Sequence, residues 1–254
     1  MAIAGLQRMR VRLALRQRFR DPIAVKNDAQ LRWWLEQWDP VLRSGGHNPS
    51  DVPALLGNEE IAPTYLGRRR QQARAEVVRV LREAAIDDPA FFCEKVVVDI
   101  GPGPLGFPDA CPARVGIGVD PLAEQFARHG LLLPDSPALY LSTGAEQIPL
   151  LSASADVVLA RNSLDYVEDP EQVLREARRI LRPSGTLIVM FDVGSAPSRS
   201  EPNVLTVARV RAALGDMTVI HEHSWDQPFG HDGHRAVLVA RRANAPVGHQ
   251  TSLG

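Results

Sequence analysis

Cysteine is almost absent from this sequence: Cys93 and Cys111 are the only two in 254 residues, and their spacing matches neither a metal knuckle nor a redox pair. That excludes a disulfide scaffold and makes a reducing cytoplasm the expected location. Long hydrophobic runs are missing as well, so no stretch is built to span a bilayer. Neither charge is in surplus, since 29 basic side chains face 30 acidic ones for a net charge of -1. Binding to nucleic acid through overall electrostatics is therefore not expected.

What remains, 44% hydrophobic and 23% charged residues, is the composition of an ordinary globular chain with one sizeable core. Charge is nonetheless unevenly spread. Residues 1–27 carry Arg8, Arg10, Arg12, Arg16, Arg18, Arg20 and Lys26 against Asp21 alone. Arginines interrupt every place where a secretory apolar segment would sit. Leu6, Met9 and Leu13 recur at helical spacing, so this arm could make peripheral membrane contact, although a plain terminal arm is the expectation. Residues 28–92 form a helical extension or lid. Leu31, Trp34, Leu35 and Trp38 make an apolar helix face that stops at Pro40. A Gly/Pro/Asn/Ser-rich connection follows, and then a helix from Tyr65 to Ala85 whose inner face is Ala73, Val77, Val78 and Leu81.

The stretch that organises the chain is KVVVDIGPGPLG, Lys95 to Gly106. A continuous apolar run, Val96 to Val98, reads as a strand buried on both faces, which belongs in a parallel sheet covered by helices. It ends in Asp99 and breaks into a loop holding Gly101, Gly103 and Gly106. Glycines let backbone N–H groups approach a ligand where any Cβ would stand in the way. A second buried strand, Val115 to Val119, also ends in an acid, Asp120, with Pro121 beside it. Acids at successive strand ends suit a ribose, because a carboxylate accepts hydrogen bonds from both vicinal hydroxyls.

Two cofactor classes fit this spacing. The glycines satisfy G-x-G-x-x-G with an acid downstream, as a dinucleotide would require. A pyrophosphate, however, needs the N-terminal N–H groups of a helix that starts at the loop. Pro104 removes one such donor, and Pro108 and Pro112 interrupt the residues that follow. A sulfonium nucleoside with no phosphate needs no such cradle, and Asp99 would suit its cationic amino group.

Four segments in order, VVVDIGPGPLG, GIGVDPL, TGAEQIPLLSASADVVLARNSLDYVEDP and LREARRILRPSGTLIV, resemble the class I S-adenosylmethionine-dependent methyltransferases of the small-molecule branch. The resemblance covers residues 94–193. It implies an α/β fold with a doubly wound, mostly parallel sheet over residues 93–243 and the helical extension before it. The alternation of strands at 139–141, 156–160 and 186–191 with a helix at 170–181 agrees. A helix at 206–214 and an antiparallel pair at 217–221 and 236–241 close the sheet, and residues 244–254 form a disordered tail.

Carried over residue by residue, the resemblance implies that Asp99 holds the methionine amino group and that Gly101 and Gly103 supply close backbone. It gives Asp120, with Pro121, the ribose, Ala145 and Glu146 the adenine neighbourhood, and Asn162 the methionine moiety. Leu105 stands where many members have a third Gly, Gly144 where many have an adenine-reading Asp, and Tyr166 where a His is common. A hydroxyl acceptor must lose its proton as the methyl arrives, so His231 and His234 are the candidates for general base, with Tyr166 the third. His221, His223, His231 and His234 lack the Cys or spaced carboxylate that a zinc set needs, so no metal is expected. No Asn-Pro-Pro-aromatic or Pro-Cys motif of nucleic-acid base methyltransferases occurs. The expected acceptor is a small molecule, a sugar or other metabolite, methylated on a hydroxyl. The alternatives are a nicotinamide-dependent oxidoreductase and a catalytically inactive binding or scaffold protein of the same fold.

Overall fold

A computed structural model describes residues 22–40, 55–198, 200–226 and 234–243. The basic arm up to residue 21, the connection at 41–54, His231 and the tail from residue 244 lie outside the described residues.

Strands form where β-branched and aliphatic residues run together. β1 (Val96–Ile100), β2 (Val115–Val119), β3 (Leu139–Leu141), β4 (Ala155–Arg161) and β5 (Leu181–Val193) pair in parallel. β6 (Thr218–Asp226) and β7 (His234–Arg241) close the sheet in antiparallel fashion. The seven strands lie in the order β3-β2-β1-β4-β5-β7-β6. Chain order therefore reverses between β1 and β4, and a crevice opens where two neighbouring strands send their connections to opposite sides. Both strands end at the same edge, with Ile100 of β1 beside Ala160 of β4 and Val119 of β2.

Period-two alternation sorts each central strand between two cores. Val98, Ile100, Val158 and Ala160 face a cluster completed by Val173, Leu174, Ala177 and Ile180 of a helix over Pro170–Ile180. Val97, Val157, Leu159, Ile188 and Met190 face the opposite cluster, with Val77 and Val80 of the helix Tyr65–Glu83, and Phe92 and Phe107. In chain order the helices are α1 (Pro22–Trp33), α2 (Tyr65–Glu83), α3 (Phe107–Ala110), α4 (Ala123–Arg128), α5 (Pro170–Ile180) and α6 (Val207–Ala213). Among the described residues no helix is long and apolar enough to cross a membrane.

Three departures from the sequence reading have physical causes. α1 begins at Pro22 and runs into a widened π turn, Trp34–Trp38, so the tryptophan stripe is not one regular helix face. On α2, Val78 is 37% exposed while Gln72 and Glu76 are buried, because the inner face carries a polar seam. β5 starts at Leu181 rather than Thr186: Leu181 pairs with Ala155 across a register shift, and the expected turn survives as Ser184 at φ 62. α3 is only four residues long, as a segment holding Pro108 and closed by Pro112 must be.

The two-core arrangement predicts where stability lies. Leu159→Ala, at a side chain with no exposure, should cost about 2–5 kcal/mol in urea unfolding. Leu151→Ala, at an 82% exposed position, should stay within about 0.5 kcal/mol of the parent chain.

Candidate cofactor and active site

The glycine loop leaves β1 along a path that side chains oppose. Gly101 has φ +65 and Gly103 φ +54, and a Cβ on Gly101 would lie 2.5 Å from the Ser163 Cβ. A Cβ on Gly103 would meet the Trp34 ring at 2.8 Å. The loop is fixed from β2: Gly101 N–H donates to the Val119 carbonyl at 2.8 Å. Asp120, 7% exposed, accepts from Gly103 N–H at 3.1 Å through one oxygen and from Leu122 N–H at 2.8 Å through the other. Burial pushes its carboxyl up to about 6, against the lowering effect of those two N–H groups. Each oxygen keeps acceptor capacity beyond the bond it already receives.

Asp99, one strand away, is 1% exposed and has a different partner. Its Oδ2 accepts from Arg161 Nη2 at 2.8 Å, and Arg161 Nη1 reaches Glu76 Oε2 of α2 at 3.1 Å. Burial raises the Asp99 carboxyl and Arg161 opposes the rise. The Arg161 guanidinium also lies over the Phe107 ring, 4.6 Å from its centroid. Asp99 Oδ1 and Ser163 Oγ are buried and have no hydrogen-bond partner among the described residues.

α1 reaches across this edge. At one end Lys26 Nζ donates to the Tyr166 carbonyl and to Glu168 Oε1, each at 2.7 Å. At the other, Trp34 meets Phe126 edge-on at 6.3 Å, and Leu31, Trp34 and Leu35 pack on the Leu122, Phe126 and Leu131 cluster. From α2, Arg69 Nη2 donates to the Pro104 carbonyl at 2.7 Å and to that of Leu131, tying the loop after β1 to the segment before β3.

Asp99, Gly101, Gly103 and Asp120 therefore converge at the carboxyl ends of β1 and β2. Pro121, exposed, accepts from Ser142 Oγ through its carbonyl at 3.3 Å. Ala145 is buried, and Glu146 is bound to the far side of the crevice, its Oε1 accepting from Glu168 N–H at 2.8 Å. Asn162 follows β4 in the left-handed region at φ 47, with its Oδ1 accepting from Arg235 Nη2 at 2.9 Å. Tyr166 donates its phenol to Glu201 Oε1 at 2.6 Å, and burial together with that carboxylate raises its pKa further. His234 is exposed at the start of β7, with its Nδ1 against Asp226 Oδ1 of β6. Sequence reasoning missed Arg161, Glu76 and Asp165. The last is a buried carboxyl just past β4, pushed up to about 7 chiefly by burial, with Glu201 and Asp192 adding to the rise. The available signal was a charge ending the apolar run of β4 and another on the inner face of α2.

These groups fit S-adenosylmethionine. A turn without Cβ atoms, a held carboxylate with acceptor capacity to spare and an orphaned buried carboxylate oxygen match a nucleoside bearing a cationic amino group. Residues 98–189 match a family model described as a methyltransferase domain. An uncharacterized methyltransferase of Mycobacterium bovis (strain BCG / Pasteur 1173P2) is 29% identical over 105 residues, 41% of this chain and 41% of that protein. The match thus spans about two fifths of the length of such curated relatives. Among solved structures, an S-adenosylmethionine dependent methyltransferase from Mesorhizobium loti superposes with a TM-score of 0.50 at 17% identity, covering 59% of this chain and 92% of that one. The [4+2]-cyclase SpnF superposes with a TM-score of 0.51 at 15% identity, covering 68% and 82%. Residues 98–189 are thus similar to a methyltransferase domain, on a fold shared with S-adenosylmethionine-dependent methyltransferases, and the cofactor that this similarity supports is S-adenosylmethionine.

Proposed function

We propose that this protein transfers a methyl group from S-adenosylmethionine to a hydroxyl of a small molecule. The observation that carries the cofactor half is Asp120, a buried carboxylate bonded among the described residues only to backbone N–H groups, beside a loop with no room for a Cβ. Asp120 would accept from the ribose hydroxyls. Gly101 and Gly103 would lie against the cofactor, and Asp99 Oδ1 would take its ammonium. Ala145 and the buried Ile148 would flank the adenine. When bound, the cofactor supplies an activated methyl on its sulfonium, so the protein's work is to hold the acceptor in line and take its proton. Tyr166, already a donor to Glu201, suits a positioning role better than that of a base. Asp165 lies in the turn after β4, its Oδ1 buried without a hydrogen-bond partner among the described residues. With a pKa raised to about 7 it is poised to accept a proton near neutrality. His234 is poorly disposed for this because of its exposure and its Asp226 partner. His231, outside the described residues, keeps its place as a candidate. Nothing in the crevice favours a dinucleotide, since α3 offers one turn and a proline where a pyrophosphate needs a helix N-terminus. A chain of the same fold is a [4+2]-cyclase, so turnover rather than fold is the test of methyl transfer.

Calorimetry with S-adenosylhomocysteine addresses the cofactor directly. Asp120→Ala should weaken binding roughly ten- to a hundredfold, the worth of about 1.5–3 kcal/mol of charge-assisted hydrogen bonding. No binding to the parent chain, or equal binding to the variant, would sink the reading.

The same titration should depend on pH. The free carboxyl has its pKa raised to about 6, and the ribose favours the charged form, so binding at lower pH must expel a proton. Affinity should be level above about pH 7 and fall as pH drops through 6, whereas Asp120→Asn should give a flat, weaker profile. Once a hydroxyl acceptor is found, Asp165→Asn should cut turnover about 10²- to 10⁴-fold and leave S-adenosylhomocysteine affinity unchanged.

A further inference from the structure

Arg161 ends β4 with its side chain only 7% exposed, and both ends of its guanidinium are engaged by carboxylates on different elements, Asp99 of β1 and Glu76 of α2. A buried ion network of this kind adds little net stability, because desolvation offsets the attraction. What it does provide is direction. The planar fork of an arginine fixes two acceptors relative to each other, which the point charge of a lysine does not. Gln72 Nε2 donates to Glu76 Oε1 at 2.9 Å, so the α2 end of the chain is itself held. At the other end Asp99 uses one oxygen for Arg161, and its Oδ1 stays buried without a partner among the described residues.

We propose that Arg161 is a positioning residue for the amino-acid end of the cofactor. By bridging Glu76 and Asp99 it turns the Asp99 carboxylate so that Oδ1 is left to accept from the cofactor's ammonium. This rests on the cofactor reading above and adds to it that α2, which precedes the matched segment, takes part in reading the cofactor. Asp99 without Arg161 would be a buried anion free to rotate or to take up a proton, and in either state it would hold an ammonium less well.

The test compares two ligands on the full chain. S-adenosylhomocysteine carries the amino-acid end, while methylthioadenosine keeps the nucleoside and the thioether but lacks it. Arg161→Met keeps an unbranched side chain at this position while removing the guanidinium, and should lower S-adenosylhomocysteine affinity about tenfold or more, with methylthioadenosine changed by less than about twofold. Glu76→Gln keeps the Arg161–Asp99 pair but loosens its anchor, and should give a smaller loss of about threefold for the first ligand only. If Arg161→Met does not fold, Glu76→Gln decides by the same ratio of affinities. Equal losses for both ligands, or no loss for S-adenosylhomocysteine in a folded variant, would overturn the role of Arg161. A parent chain that binds neither ligand would refute the cofactor reading itself, and this inference with it.

Discussion

Two carboxylates sit on neighbouring strand ends at the edge of this sheet, nearly removed from water, and the protein handles them in opposite ways. Asp99 is offset by a full cation on β4, itself tied to α2. Among the described residues Asp120 receives only backbone dipoles, from Gly103 and Leu122, and feels Asp99 as a further like charge. The loop between them must therefore turn its N–H groups inward, which requires the left-handed backbone at Gly101 and Gly103. α2 enters the same network, because Glu76 on its inner face accepts from the second guanidinium nitrogen of Arg161. A charge left without hydrogen-bond donors at this depth would cost several kcal/mol.

The unequal treatment also separates two tasks. A carboxylate locked to an arginine is rigid and suits recognition of one fixed ammonium. One held by N–H groups alone keeps acceptor capacity on both oxygens and suits a pair of vicinal hydroxyls. A third environment lies beyond β4, where Asp165, Tyr166 and Glu201 gather near Asn203, which donates to the Val167 carbonyl at 2.7 Å.

Most of the scaffold was legible in the sequence because its signals are local. Apolar runs ending in Asp99 and Asp120 mark β1 and β2, three prolines argue against a full helix between them, where the four-residue α3 stands, and the helix over 170–181 is observed at Pro170–Ile180. The Arg161 network was not legible, because its members stand 62 and 85 positions apart and leave no local periodicity. Glu76 even falls at the spacing of an apolar face and looks like a flaw in the pattern until its partner is known. Side-chain roles were harder still: Glu146, Asn162 and His234 lie near the crevice edge, but each is engaged by a neighbour that pairing across strands or turns supplies.

The core under the sheet bears on where one unit of this protein ends and another begins. Val77, Val80, Ala84 and Phe92 precede the segment that resembles a methyltransferase, yet they are buried against Val97, Leu159, Ile188 and Met190 in one continuous cluster. A chain started at β1 would leave that face of the sheet open to water and Arg161 without Glu76. The boundary seen by comparing sequences is thus one of recognisable descent rather than of folding. A substitution in α2 that unseats Val80 or Glu76 is thereby felt at the strand edge that carries the glycine loop, through one shared core and one shared ion network.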